Sequence, residues 1–183
     1  MEVVIEMSTA SLAAVQEYLS SCYPDGDREY LDGVIGERHM GTPEHSALQK
    51  ILIVHLAAHE KQLDLAVRPE CRTRIREERY RVPDLLVMQR PFRQDGRVVL
   101  DPPLLIIEIL SPDDRMGETL ERFREYEQLG VRHIILMDPV RRTTHLFLHG
   151  DLVSRHDLAA FEIAPGRSLP FPAAQLLALL DEE

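Results

Sequence analysis

Hydrophobic and polar positions along this chain alternate between two periods, and the changes of period mark the elements. Leu12, Val15, Tyr18 and Leu19 recur at helical spacing behind Ser8-Thr9, which predicts an N-terminal helix over about residues 8–22. Tyr23-Pro24-Asp25-Gly26-Asp27 reads as a turn, and Tyr30-Leu31-Asp32-Gly33-Val34-Ile35 as a hairpin, because Asp-Gly accepts the positive φ angles of a tight turn. Thr42-Pro43-Glu44 has the chemistry of a helix start: an N-cap hydroxyl, a proline at the first helical position and an acid at the positive end of the dipole. Leu48, Ile51, Leu52, His55, Leu56 and His59 then form one helical stripe. Strands are expected at Leu63–Val67, Cys71–Arg76, Asp84–Met88, Leu104–Leu110, His133–Met137 and Thr143–Leu148. Two more helices are expected: Gly117–Leu129, closed by Gly130, and Ala173–Leu180. This order predicts one α/β (α+β) domain over residues 1–183, a central mixed sheet flanked by helices with the first helix as an extension.

Composition narrows the class. The 183 residues hold 44% hydrophobic and 28% charged side chains, ordinary for a globular protein. Apolar runs such as Leu176–Leu180 are far too short to span a bilayer, and the acidic Met1–Glu6 start has no basic segment of a signal peptide, so a cytoplasmic protein without membrane contact is expected. Two cysteines, Cys22 and Cys71, make neither a disulfide framework nor a four-ligand zinc site. The net charge of −10 argues against coating nucleic acid through bulk charge. Its distribution is uneven, however: Arg68–Arg97 carries nine arginines against five acids, and Lys50 and Lys61 are the only lysines.

Two carboxylates stand where hydrophobic residues belong. Leu104–Leu110 is apolar at every position except Glu108, the pattern of a strand buried on both faces. A carboxylate there must be protonated, hydrogen-bonded, ion-paired or metal-bound. Asp84 opens another apolar strand directly after Pro83. Residue 96, in the turn-like Gln94-Asp95-Gly96, lies midway between 84 and 108, so antiparallel pairing sets the two acids opposite each other, side chains about 5 Å apart on one face. Such a pair repels unless a cation lies between, and an oxygen-only donor set suits Mg²⁺ or Mn²⁺. That reading requires room for an ion; a guanidinium filling the space would remove it.

Pro83-Asp84 followed by Glu108-Ile109-Leu110-Ser111-Pro112 resembles the PD-(D/E)XK restriction-endonuclease-like superfamily, and more closely its bacterial Uma-two family. Tyr30-Leu31-Asp32-Gly33, Pro43-Glu44-His45, Glu125-Tyr126 through Gly130-Val131, and Leu136-Met137-Asp138-Pro139 agree in order and spacing, over about Arg28 to Leu180. The resemblance implies a restriction-endonuclease-like core and Mg²⁺-dependent hydrolysis of DNA by an activated water. Asp84, Glu108 and the Ile109 carbonyl would be the metal ligands, with Glu37 as a further carboxylate. The superfamily's lysine position holds Leu110, and the alternative lysine on the next helix aligns with Arg122. An arginine there stabilises charge on the phosphate but is a poor general base; its plain alternative is a surface pair with Glu118. Val34 also departs from the glutamate common after Asp-Gly.

On the Pro43 helix this superfamily often directs a glutamate or glutamine at the Gln49 position toward the metal. His45, one turn earlier on the same face, would reach the metal-bound water or a phosphate, its plain alternative being a polar residue in the first turn. Lys50, one position beyond Gln49, points about 100° away. His55 and His59 lack a third ligand and read as partly buried helix residues. Arg72, Arg74 and Arg76 alternate onto one strand face, either a track for a DNA phosphate backbone or a charged edge that resists aggregation. The first reading is a nuclease acting on double-stranded DNA as a homodimer. The competing ones are a weak or inactive relative that binds nucleic acid or regulates, and a hydrolase of a small phosphate ester.

Overall fold

The computed structural model describes residues 9–24, 26–38 and 41–182. Ser8, expected to help cap the first helix, and Asp25 of the first turn lie outside the described residues. Helix α1 (Thr9–Ser20) leads into a hairpin of β1 (Glu29–Leu31) and β2 (Val34–Gly36). Asp32 and Gly33 take φ of 51° and 94°, the left-handed pair that a two-residue hairpin turn requires. Helix α2 (Pro43–Ala57) starts at Thr42, whose hydroxyl accepts the His45 N–H at 3.2 Å. It stops short of His59, which precedes the separate turn α3 (Glu60–Leu63).

Strands β3 (Leu65–Pro69), β4 (Arg72–Arg76), β5 (Arg79–Arg81), β6 (Leu85–Gln89), β7 (Gln94–Asp95), β8 (Val98–Val99) and β9 (Leu105–Ile109) follow. Helix α4 (Met116–Leu129) ends on Gly130 at φ 97°, as a left-handed C-cap demands. Then come β10 (His133–Asp138), β11 (Thr143–Leu148), β12 (Asp151–Ser154), β13 (Ala160–Ala164), β14 (Arg167–Pro170), α5 (Ala173–Ala178) and a closing 3₁₀ turn, Leu179–Glu182.

The hydrophobic pattern suggests one sheet, but among the described residues two six-stranded sheets form. The central mixed sheet runs β12-β11-β10-β9-β6-β3, with β9 and β10 parallel across the α4 connection and the remaining neighbours antiparallel. The other runs β2-β1-β5-β4-β8-β7, and β13-β14 is a small ribbon. The central sheet is covered on both faces, which is why β9 needs no polar alternation. Leu105, Ile107 and Ile109 pack in a core with Leu48, Leu52 and Leu56 of α2 and Leu176 and Leu177 of α5. Ile106 instead joins Phe123 and Tyr126 of α4. In this alternation Glu108 falls on the α4 side. The second sheet is covered by α1, where Val15 and Tyr18 meet Tyr30, Tyr80 and Val98.

The ladder between β6 and β9 pairs Leu85 with Ile107 and Leu86 with Ile106, so its next step sets Asp84 opposite Glu108. The register expected from the spacing is therefore present, but the connection is not a simple hairpin. Residues 94–99 leave the central sheet and form β7 and β8 on the edge of the other one. Register depends on which hydrophobic residues face which core, and a long excursion does not disturb it.

Candidate functional site

Asp84 and Glu108 are 5% and 3% exposed and line one wall of a pocket of about 330 Å³. Asp84 is fixed from several directions. Its Oδ2 accepts the Ile109 N–H at 2.8 Å and lies 3.2 Å from His45 Nε2, while its Oδ1 accepts Arg38 Nη2 at 2.5 Å. Its main-chain carbonyl accepts Gln49 Nε2 at 3.0 Å. His45 and Gln49, one helical turn apart on α2, thus hold side chain and backbone of the same residue. Burial pushes the Asp84 carboxyl up, but the His45 hydrogen bond and the Arg38 charge outweigh it and hold the group below the usual carboxylate range. Burial likewise disfavours a charged His45, yet the bond to Asp84 raises its pKa.

Glu108 is held by α4. Tyr126 donates its hydroxyl to Oε1 at 2.6 Å, and Arg122 Nη1 stands 3.4 Å from Oε2. A spacing of four residues brings both onto one carboxylate. Burial raises the Glu108 pKa to about 7, with Arg122 pulling it down and Asp84 pushing it further up. One ionised and one protonatable carboxylate therefore share a wall. Each has a guanidinium partner, but the pocket beside them remains open.

Other expected site residues are placed differently. The Glu37 carboxylate is 76% exposed and pairs with Arg28 at 2.5 Å, so it stands at the pocket mouth and not against the two acids. Among the described residues, no three His, Cys, Asp or Glu side chains converge as a metal-ligand cluster. The arginine face of β4 is also corrected. Arg72 is 1% exposed, and its guanidinium binds both Asp27 carboxylate oxygens and the carbonyls of Tyr18 and Ser21. It closes the C-terminal end of α1, where carbonyls need donors and the dipole favours a cation. Arg74 and Arg76 are exposed, Arg76 is paired with Asp32 at 2.6 Å, and the β4–β5 ladder shifts between them. Arg122 does not pair with Glu118, which meets Arg115 instead. Lys50 is exposed, and His55 Nε2 donates to the Pro170 carbonyl, 2.9 Å away.

Sequence reasoning missed Arg38 and the anchoring role of Tyr126. It also missed a charged brace beside the pocket: Arg81 reaches Glu29 of β1 at 2.6 Å and Glu125 of α4 at 2.7 Å, joining the second sheet to the helix that holds Glu108. Tyr126 carried a signal, being four residues after Arg122. Arg38 carried none, because its contact depends on how one sheet sits against the other.

A sequence model of the Uma2 family, described as "Putative restriction endonuclease", matches residues 15–172. Among solved structures, a "putative nuclease belonging to DUF820" from Anabaena variabilis aligns with a TM-score of 0.73 at 22% identity, covering 91% of this chain and 98% of that one. The likeness carries the fold, and the expected α+β core with a central mixed sheet stands. A DrdV–DNA complex aligns at a TM-score of 0.34 and 16% identity over 75% of this chain and 13% of that one, too little to argue from. No curated protein matches the chain.

Proposed function

The chain belongs to the Uma2 family, and from that premise we propose that it is a divalent-metal-dependent endonuclease hydrolysing double-stranded DNA. The observation that carries this reading is the single ladder step that sets two buried carboxylates, Asp84 and Glu108, opposite each other beside an open pocket. The donor set fits Mg²⁺ or Mn²⁺: oxygen only, negatively charged, with space for water and a phosphate oxygen. Burial first, and then the Asp84 charge, raise the Glu108 pKa, and a bound cation would lower it again. Asp84, Glu108 and the Ile109 carbonyl would hold the ion. When bound, it supplies Lewis acidity toward the phosphate and a more acidic water.

The chain's own groups do the rest. His45, Gln49 and the Ile109 amide keep Asp84 from swinging, and Tyr126 does the same for Glu108. Arg122, with its buried Nε unpartnered among the described residues, has donors to spare for a non-bridging phosphate oxygen as charge builds there. It keeps its proton, since burial opposes its charge but Glu108 raises its pKa further, so it acts as a charge partner and not as the base. Of the two exposed β4 arginines, Arg76 is paired with Asp32, and Arg74 is the one assigned to a phosphate contact. A cytoplasmic homodimer of single-domain chains remains part of this reading.

The second reading, a weak or inactive relative that binds nucleic acid, draws on one observation: both carboxylates already have guanidinium partners. Plasmid nicking with Mn²⁺ separates the two. Wild type should nick and Asp84→Asn should not; equal background from both favours the inactive module. Calorimetry with Mn²⁺ should show a site that Glu108→Ala loses, and equal binding by both proteins removes the metal.

A further inference from the structure

Arg38 lies outside any strand or helix, two residues beyond β2, and reaches across to the central sheet. The two oxygens of Asp84 are used unequally. Oδ2 takes the contacts that belong to the fold, the Ile109 amide and His45, while Oδ1 takes Arg38 at 2.5 Å. The other arm of the same guanidinium, Nη1, stands 3.5 Å from Glu70 Oε1. Glu70 sits in the turn between β3 and β4 with its side chain 49% exposed, so one guanidinium is shared between a buried acid and a solvated one.

Resting on the metal reading above, we propose that Arg38 is the displaceable counter-ion of Asp84: it covers Oδ1 in the metal-free protein, yields that oxygen to an entering divalent cation, and is received by Glu70. The competition follows from charge. A guanidinium and a divalent ion cannot share one carboxylate oxygen without strong repulsion in a partly desolvated pocket. Glu70 gives the displaced charge a partner already within reach, so the exchange does not strand a cation.

Titrating the full chain with Mn²⁺ alone, in the absence of DNA, tests the exchange. Arg38→Gln keeps a donor for Oδ1 but removes the charge, and should bind Mn²⁺ about tenfold tighter or more than wild type. Arg115→Ala, which removes a 79% exposed guanidinium at the rim of the same pocket, should stay within about twofold. A gain at Arg38→Gln no larger than at the rim, or a loss, overturns the proposal. Glu70→Gln, a surface change that folding tolerates, should weaken Mn²⁺ binding because Arg38 then stays on Asp84; unchanged binding overturns the Glu70 half even if Arg38→Gln does not fold. If Mn²⁺ binds none of the proteins, the metal reading itself falls. If it binds wild type and Arg38→Gln shows no gain, only the exchange falls.

Discussion

Replacing Arg72 with alanine tests whether the arginines of β4 serve the fold or a nucleic acid. The Arg72 guanidinium spends its donors on both oxygens of Asp27, at 2.9 and 2.8 Å from Nε and 2.6 Å from Nη2, and on the Tyr18 and Ser21 carbonyls at 2.8 and 3.0 Å. It also lies 4.3 Å from the centroid of the Tyr18 ring. Removing one partner of a buried, hydrogen-bonded charge pair costs about 3–5 kcal/mol. Asp27 is 27% exposed and regains some hydration, which argues for the lower end, about 3 kcal/mol. For a chain of this size that is a fall in Tm of about 6–12 °C. Arg74→Ala, on the exposed side of the same strand, should move stability by no more than about 0.5 kcal/mol. Arg72→Lys should recover only part of the loss, since an ammonium cannot serve the carboxylate and the helix end together. Melting curves followed by circular dichroism, paired with duplex binding by fluorescence anisotropy, decide the matter. An Arg72→Ala protein that melts with wild type but loses DNA affinity refutes the structural assignment.

Four further outcomes follow from the site. Tyr126→Phe removes a 2.6 Å bond to a buried carboxylate and should cost about 1–3 kcal/mol in urea unfolding; a cost below about 0.3 kcal/mol would mean that water replaces the hydroxyl. Because burial raises the Glu108 pKa in the folded chain from its ordinary 4.5 to about 7, its contribution to stability is complete below the unfolded value and is lost as pH rises through the folded one. Glu108→Gln should flatten that stretch of the stability curve, whereas parallel curves for both proteins would assign the slope to other groups. The same protonation should make Mn²⁺ affinity climb with pH up to about 7 and release a proton on binding, measurable as a buffer-dependent heat; a flat pH dependence contradicts it. Arg122→Ala should cut nicking by about 10²-fold or more while the chain stays folded, with Arg122→Lys restoring part of it; unchanged turnover would leave Arg122 as a neutraliser of Glu108 only.

What could be read in the sequence was what local pattern and pairing register control. The caps at Thr42 and Gly130, the Asp-Gly turn and the Asp84–Glu108 register depend on neighbours or on side-chain alternation, and all are present. β5 was missed because three residues, Arg79–Arg81, are too few to show a period: Tyr80 enters the core under α1, and the flanking arginines are held by Asp32, Glu29 and Glu125. Alternation also misplaced Arg72: a period of two says which residues share a face but not whether that face meets water or the end of another helix. The hairpin at 94–99 shows the same limit, since β8 pairs with β4 and carries β7 outside it, and neither joins the sheet on either side of them in sequence.

Charged groups buried in this fold fall into two kinds, and the difference bears on where chemistry takes place. Arg81 binds both oxygens of Glu125, at 2.7 and 3.2 Å, and Glu29 at 2.6 Å, so its donors are matched by fixed acceptors from two elements. Arg72 is satisfied in the same way. The chain is therefore capable of closing a buried ion pair completely, and such closure offsets the cost of desolvation. At the pocket it does not. Arg122 meets Glu108 through one nitrogen at 3.4 Å and leaves its buried Nε unpartnered among the described residues, while Arg38 covers a single oxygen of Asp84. Two carboxylates and two guanidiniums with bonding capacity left over are thus set around space, with the Arg81–Glu29–Glu125 brace beside them. A ligand that brings both a cation and an anionic oxygen satisfies all four at once, and a metal-bound phosphodiester is such a ligand.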